Sequence, residues 1–194
     1  MKLTRLAGFR TPGFIVAALI CACALPAHAG DDKAKEQKEI QQMTQKTLQR
    51  LYKAQPAAQS AVSHGAGYAV FSNTGVKILF AGSGKGKGVA VDNQTKQEVF
   101  MKMVELQAGL GFGVKKFSVI FVFDSDKALN TFINSGWEFG GQATGAATTG
   151  TKGASMAGAA SVSDGVWMYQ MTDKGLAAEI TLKGTKYYKD GDLN

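Results

Sequence analysis

Cysteine, histidine and long apolar runs are what this sequence has least of. Its two cysteines, Cys21 and Cys23, both fall within the first 29 residues. Beyond them no disulfide, thiolate metal site or cysteine nucleophile is possible. Of the two histidines, His28 lies in the same N-terminal stretch, and His64 stands alone at an expected helix end. One imidazole makes no metal cluster, and with no thiol beside it few groups are left to titrate near neutral pH. No G-x-S-x-G elbow occurs, since Ser155 sits in GASMAG. The glycine run 82–88 is followed by Val89, where a phosphate loop needs Ser or Thr. Its alternating glycines, with no helix after them, do not make a dinucleotide fingerprint either. Asp124 and Asp126 flank a helix start, where capping accounts for them better than acid–base chemistry. Neither an enzyme nor a cofactor is expected. Nor is nucleic acid binding, because aromatic and basic residues do not interleave.

The apolar run Phe14 to Leu25 falls short of the roughly 20 residues a spanning helix needs. Lys2, Arg5 and Arg10 precede it, Pro26 ends it, and Ala27-His28-Ala29 is a small-x-small cleavage site. Residues 1–29 therefore read as an export signal leading to the periplasm, with possible outer-membrane association. A lipoprotein site at Cys23 is the rival reading, which would tether the chain to a membrane. Cleavage after Ala29 removes three of the 22 basic residues and no acid, leaving 19 against 15, a balance of +4.

Glycine, by contrast, is abundant: 24 residues, well above the usual share of about 7%. That excludes a simple helix bundle and points to turns or unusual strands. From about 33 to 53, Ile40, Met43, Thr47, Leu48, Leu51 and Tyr52 recur at helical spacing, and Pro56 opens a second short helix over 56–64. Residues 30–64 are thus a helical segment. After Gly67 the pattern turns to strands: 68–72, 76–81 and 89–92 around the glycine run, 98–107, and the most apolar of all, 117–123. A helix over about 125–135 follows, capped by Asp124 or Ser125 and ended by Gly136. From Trp137 turn signals at Gly150, Ser163-Asp164-Gly165 and Asp173-Lys174-Gly175 suit an antiparallel meander. The Gly/Ala/Ser/Thr stretch 140–163 also fits a linker. The expected fold is α+β: N-terminal helices plus a curved antiparallel sheet or small barrel, with one further helix at 125–135.

Gly82, Gly84, Gly86 and Gly88 alternate, as do Gly109, Gly111 and Gly113, so each set falls on one strand face. Bare backbone there admits close packing of another element or contact with a ligand. Lys85 and Lys87 are expected on a glycine-rich hairpin tip, and Lys115-Lys116 on a second turn. Such turns suit anionic headgroups, at about 1 kcal/mol per lysine near an anionic surface. The amides of Gly84, Gly86 and Gly88 are candidate anion contacts. Lys46 and Arg50 belong to the basic side of helix 33–53, which has the character of an interfacial helix or of one packed on its own domain.

Residues 65–190 resemble the SYLF domain family of lipid-binding proteins. The resemblance is carried by AGYAVFSN (66–73), GSGKGKGVAV (82–91), LQAGLGFGVKKFSVIFVFDSDKALNTF (106–132), the stretch Trp137 to Gly153, Lys174-Gly175-Leu176 and the closing GTKYY. It implies phospholipid binding through an amphipathic N-terminal helix and basic positions, here helix 33–53 with Lys85 and Lys87. Phosphoinositides are the ligands in eukaryotic relatives, and some fungal relatives bind actin. For an exported bacterial chain the resemblance implies anionic phospholipid or a membrane surface rather than actin. A soluble carrier of an apolar ligand and a structural or adaptor envelope protein remain the alternatives.

Overall fold

The structure is a computed structural model that describes residues 28–78, 81–108, 113–139, 144–146, 156–177, 179–181 and 184–194. Residues 1–27, which hold most of the expected export signal and Cys23, lie outside it, as do much of the 140–163 stretch and Gly109 and Gly111. Among the described residues no helix is long and apolar enough to cross a membrane.

Among the described residues, three helices and a curled antiparallel sheet make an α+β fold, as expected. Helix α1 spans His28–Ala54 and α2 spans Ala57–His64, with Pro56 at the N-cap of α2. The first four strands follow: β1 (Gly67–Ile78), β2 (Ala81–Asp92), β3 (Glu98–Ala108) and β4 (Gly113–Phe123). Helix α3 (Asp126–Ser135) starts where the Ser125 hydroxyl accepts the Ala128 N–H. It ends at Gly136, whose φ of 68° suits glycine. The remaining strands are β5 (Trp137–Phe139), β6 (Thr144–Ala146), β7 (Ala160–Ser163), β8 (Val166–Thr172), β9 (Gly175–Leu176), β10 (Glu179–Thr181) and β11 (Thr185–Lys189). The main sheet runs β5-β11-β3-β2-β1-β4-β8-β7, with β9 paired to β8, and β6 pairs with β10 separately. The tail is therefore not one meander. Strands β7, β8 and β9 extend the β4 side, whereas β5 and β11 extend the β3 side.

Alternation divides the sheet's residues between two faces. On one, Phe71, Phe121, Phe123, Met101, Met103 and Tyr187 pack with Leu129, Phe132 and Ile133 of α3. The rings of Phe71, Phe121, Phe132 and Tyr187 meet at centroid distances of 4.8–6.2 Å. The other face receives α1 and α2. Ile40 packs with Val89, Val91, Phe100 and Leu193, while Leu51, Ala58 and Val62 pack with Val70, Ile120, Val122 and Tyr169. Between those two anchors α1 turns the polar Thr44 and Thr47 inward, both buried.

Three expectations need correction. Strand β1 does not break at Asn73-Thr74-Gly75, because the buried Asn73 amide donates to the Glu105 carboxylate and so finds a partner inside the sheet. The run 82–88 is not a hairpin tip. It is the body of β2, paired to β1 and β3 along its length. Lys115 and Lys116 likewise stand in β4, opposite Gly75 and Thr74, and not in a turn.

Candidate functional site

The strand register explains what the glycines do. Gly84, Gly86 and Gly88 are buried on the α3 face, whereas Lys85 and Lys87 project from the α1 face. A Cβ on Gly88 would lie 2.2 Å from the Val70 carbonyl oxygen and 2.4 Å from the Phe71 ring; one on Gly84 would lie 2.7 Å from the Asn73 side chain. Close packing is therefore their role. Because β2 is laddered on both sides, the amides of Gly84, Gly86 and Gly88 are committed to the sheet, and the expected backbone anion contact is withdrawn.

The lysines, by contrast, converge. Residues directly opposite in the ladder share a face, which gives two polar rows beside α1. The first runs Tyr188, Lys102, Lys87, Ser72, Ser118 across β11, β3, β2, β1 and β4. The second runs Lys186, Val104, Lys85, Thr74, Lys116. A hollow of about 390 Å³ along the flank of α1 is lined by Lys46, Thr47 and Arg50 of the helix and by Ser72 and Ser118 of the sheet. A second, of about 570 Å³, is lined by Lys85, Lys87 and Lys102 and shares Ser72. Five of the six expected basic residues, Lys46, Arg50, Lys85, Lys87 and Lys116, thus belong to one side of the molecule. Lys115 is adjacent to Lys116 in sequence and falls on the opposite parity of β4.

Neutralisation within this strip is uneven. Lys87 pairs with Glu36 of α1. Lys102 sits 2.8 Å from both Asp190 and Asp192, and those two carboxylates hold its ammonium above the ordinary value. The like charges of Lys87 and Lys102, directly opposite each other, are thereby each offset. Among the described residues no ion pair involves Lys85, Lys116, Lys46 or Arg50; Arg50 donates one N–H to the Thr172 carbonyl at 2.7 Å. The strip is a cationic ledge with a hydroxyl floor, able to hold anions but presenting no nucleophile–base pair. Ser72, Ser118, Thr47 and Lys102 were not among the expected site residues. The available signal was a serine replacing an apolar residue at an alternate position of an otherwise apolar strand, as in FSVIFVF.

Residues 104–194 match the family model described as "Ysc84: Las17-binding protein actin regulator". Residues 104–194 are a Ysc84 (SYLF) domain. Over 154 residues the chain is also 30% identical to "Beta cell expansion factor A" of Aeromonas veronii, covering 79% of this chain. The chain spans 57% of the length of that relative. The matched SYLF segment contains Ser118, Lys116 and the paired acids of Lys102. The helix α1 residues and Lys85 and Lys87 precede it.

Proposed function

We propose that this chain is a non-enzymatic module that docks on anionic phospholipid surfaces of the bacterial envelope after export through residues 1–29. SYLF membership supports a lipid-binding role in general. The observation that carries the reading for this chain is the ledge beside α1, where Lys46, Arg50, Lys85 and Lys116 lie on one side without acidic partners among the described residues. The actin-regulator description belongs to the family model; the partner proposed here is the membrane surface.

Co-sedimentation of the protein with vesicles tests this. Phosphatidylglycerol-containing vesicles are expected to retain it, and pure phosphatidylcholine vesicles to leave it in solution. At about 1 kcal/mol per lysine near the surface, Lys85→Glu with Lys116→Glu weakens partitioning by on the order of 30-fold or more. Equal retention by the two vesicle types, or an unaffected double variant, overturns the reading.

A further inference from the structure

The hollow along α1 is more than an accumulation of charge. Its floor is made of hydroxyls at positions next in alternation to buried apolar residues on the same strand face. Ser72 and Ser118 are direct partners across β1 and β4, on the face where the neighbouring alternate positions are Val70 and Ile120, both buried against α1 and α2. Ser118 is only 7% exposed. Thr47, 4% exposed, reaches the same hollow from above, and among the described residues its hydroxyl has as partner only the thioether of Met43, at 3.6 Å. A buried hydroxyl resting on a weak sulfur acceptor is a donor held in reserve. Around these three oxygens stand Lys46 and Arg50, one helical turn apart on the same flank. Among the described residues Arg50 keeps four of the five N–H donors of a guanidinium after its bond to Thr172. Glu39 lines the far end, two turns or about 10 Å along the axis from Lys46. It therefore bars a second anionic group from that end.

We infer that this hollow is a discrete subsite for a phosphate ester, with Ser72 and Ser118 donating from the sheet floor and Thr47, Lys46 and Arg50 from the helix wall. The inference deepens the membrane-surface reading, because it turns diffuse attraction into recognition of one headgroup at a time. Hydroxyl donors placed beside a lysine and an arginine match the several acceptor oxygens of a phosphate, whereas diffuse attraction needs no such floor. The phosphate has two sources: a lipid headgroup, or a soluble phosphate ester.

The test uses charge-neutral changes, so that surface electrostatics stay constant. The full chain and its Ser118→Val and Ser72→Ala variants are titrated with glycerol 3-phosphate by NMR. In parallel they are sedimented with phosphatidylcholine vesicles carrying either phosphatidic acid or an equal charge of a phosphate-free anionic amphiphile. Losing a hydrogen bond to a charged group costs roughly ten-fold in affinity. The expected result is tighter retention by phosphatidic acid than by the phosphate-free surface, with that preference lost in Ser118→Val and in Ser72→Ala. Saturable shifts with glycerol 3-phosphate, centred on residues 46–50, 72 and 118, assign the site to soluble esters as well; shifts absent there but preference present assign it to lipid alone. If both surfaces retain the protein equally and the variants behave as the parent, the subsite is wrong while the membrane reading stands. If no vesicle retains it but glycerol 3-phosphate still binds, the membrane reading falls and the subsite survives. Because Ser118→Val adds bulk to a buried strand, Ser72→Ala provides the check should the first variant fold poorly.

Discussion

Gly88 shows at the scale of one residue how this sheet is made. Its missing side chain lets the Phe71 ring lie against the backbone of β2, and Phe71 in turn meets Phe121, Phe132 and Tyr187. A methyl group there meets both a ring carbon and the fixed Val70 carbonyl, so neither rotamer change nor a small shift relieves it. Gly88→Ala is expected to destabilise by about 3 kcal/mol, read as a lower urea midpoint. Gly191→Ala, where a Cβ would meet nothing within 4 Å, serves as the neutral control. The alternation of Gly and Lys was legible in the sequence, and with it that the glycines share one strand face; that 82–88 is the body of a strand and not a hairpin tip, with the glycines buried, was not. What the sequence hid was which large residue fills the glycine groove. Phe71 lies on a neighbouring strand, and nothing in the spacing of 82–88 names it.

At the scale of elements, the C-terminal turn holds α1 and β3 together. Asn194 donates to and accepts from the backbone of Phe100, the Leu193 carbonyl accepts from Gln37 at 2.7 Å, and the Asn194 carbonyl accepts from Lys33 at 2.9 Å. Lys102 binds Asp190 and Asp192 at the same place. The Lys102 ammonium holds the Asp192 carboxyl below its ordinary value of 3.8. A carboxyl depressed in the folded state adds stability that is fully present above its unfolded value and is lost as pH falls through the folded one. Asp192→Asn should therefore lower the urea midpoint at pH 6–7, with the gap narrowing below the ordinary value of 3.8 and closing at more acid pH. A gap that stays constant down to pH 2 contradicts the pairing. The helices themselves were readable from their apolar periodicity and, for α3, from its cap: α2 and α3 lie within a residue of where the sequence puts them, and α1 extends further at its N-terminus. The sheet order was not readable. Strand β4 returns beside β1, and β11 crosses to β3, both through long-range pairings that local pattern does not encode.

At the scale of the whole molecule, a surface that meets lipid and a vessel that carries it call for different architectures. A carrier needs room between sheet and helix for an apolar molecule, and among the described residues the α3 face is filled by its own aromatic cluster. Phe71, Phe121, Phe123 and Tyr187 are fully buried, and Phe132 of α3 closes over them. The hollow beside α3, about 420 Å³, is bordered by exposed Lys127 and Asp164. The cationic ledge lies on the other face, built from residues 46–50, 72–74, 85–87 and 116–118, so the attraction to lipid proposed above would be electrostatic in origin. Exposed charges lose reach as ions are added, the Debye length falling from about 10 Å at 0.1 M to about 3 Å at 1 M. Vesicle retention should therefore drop steeply between 0.1 and 0.5 M salt, while native mass spectrometry of the purified protein shows the bare chain mass. A co-purified lipid with salt-insensitive retention would instead mean that apolar burial drives binding, and the ledge would be ordinary solvated surface.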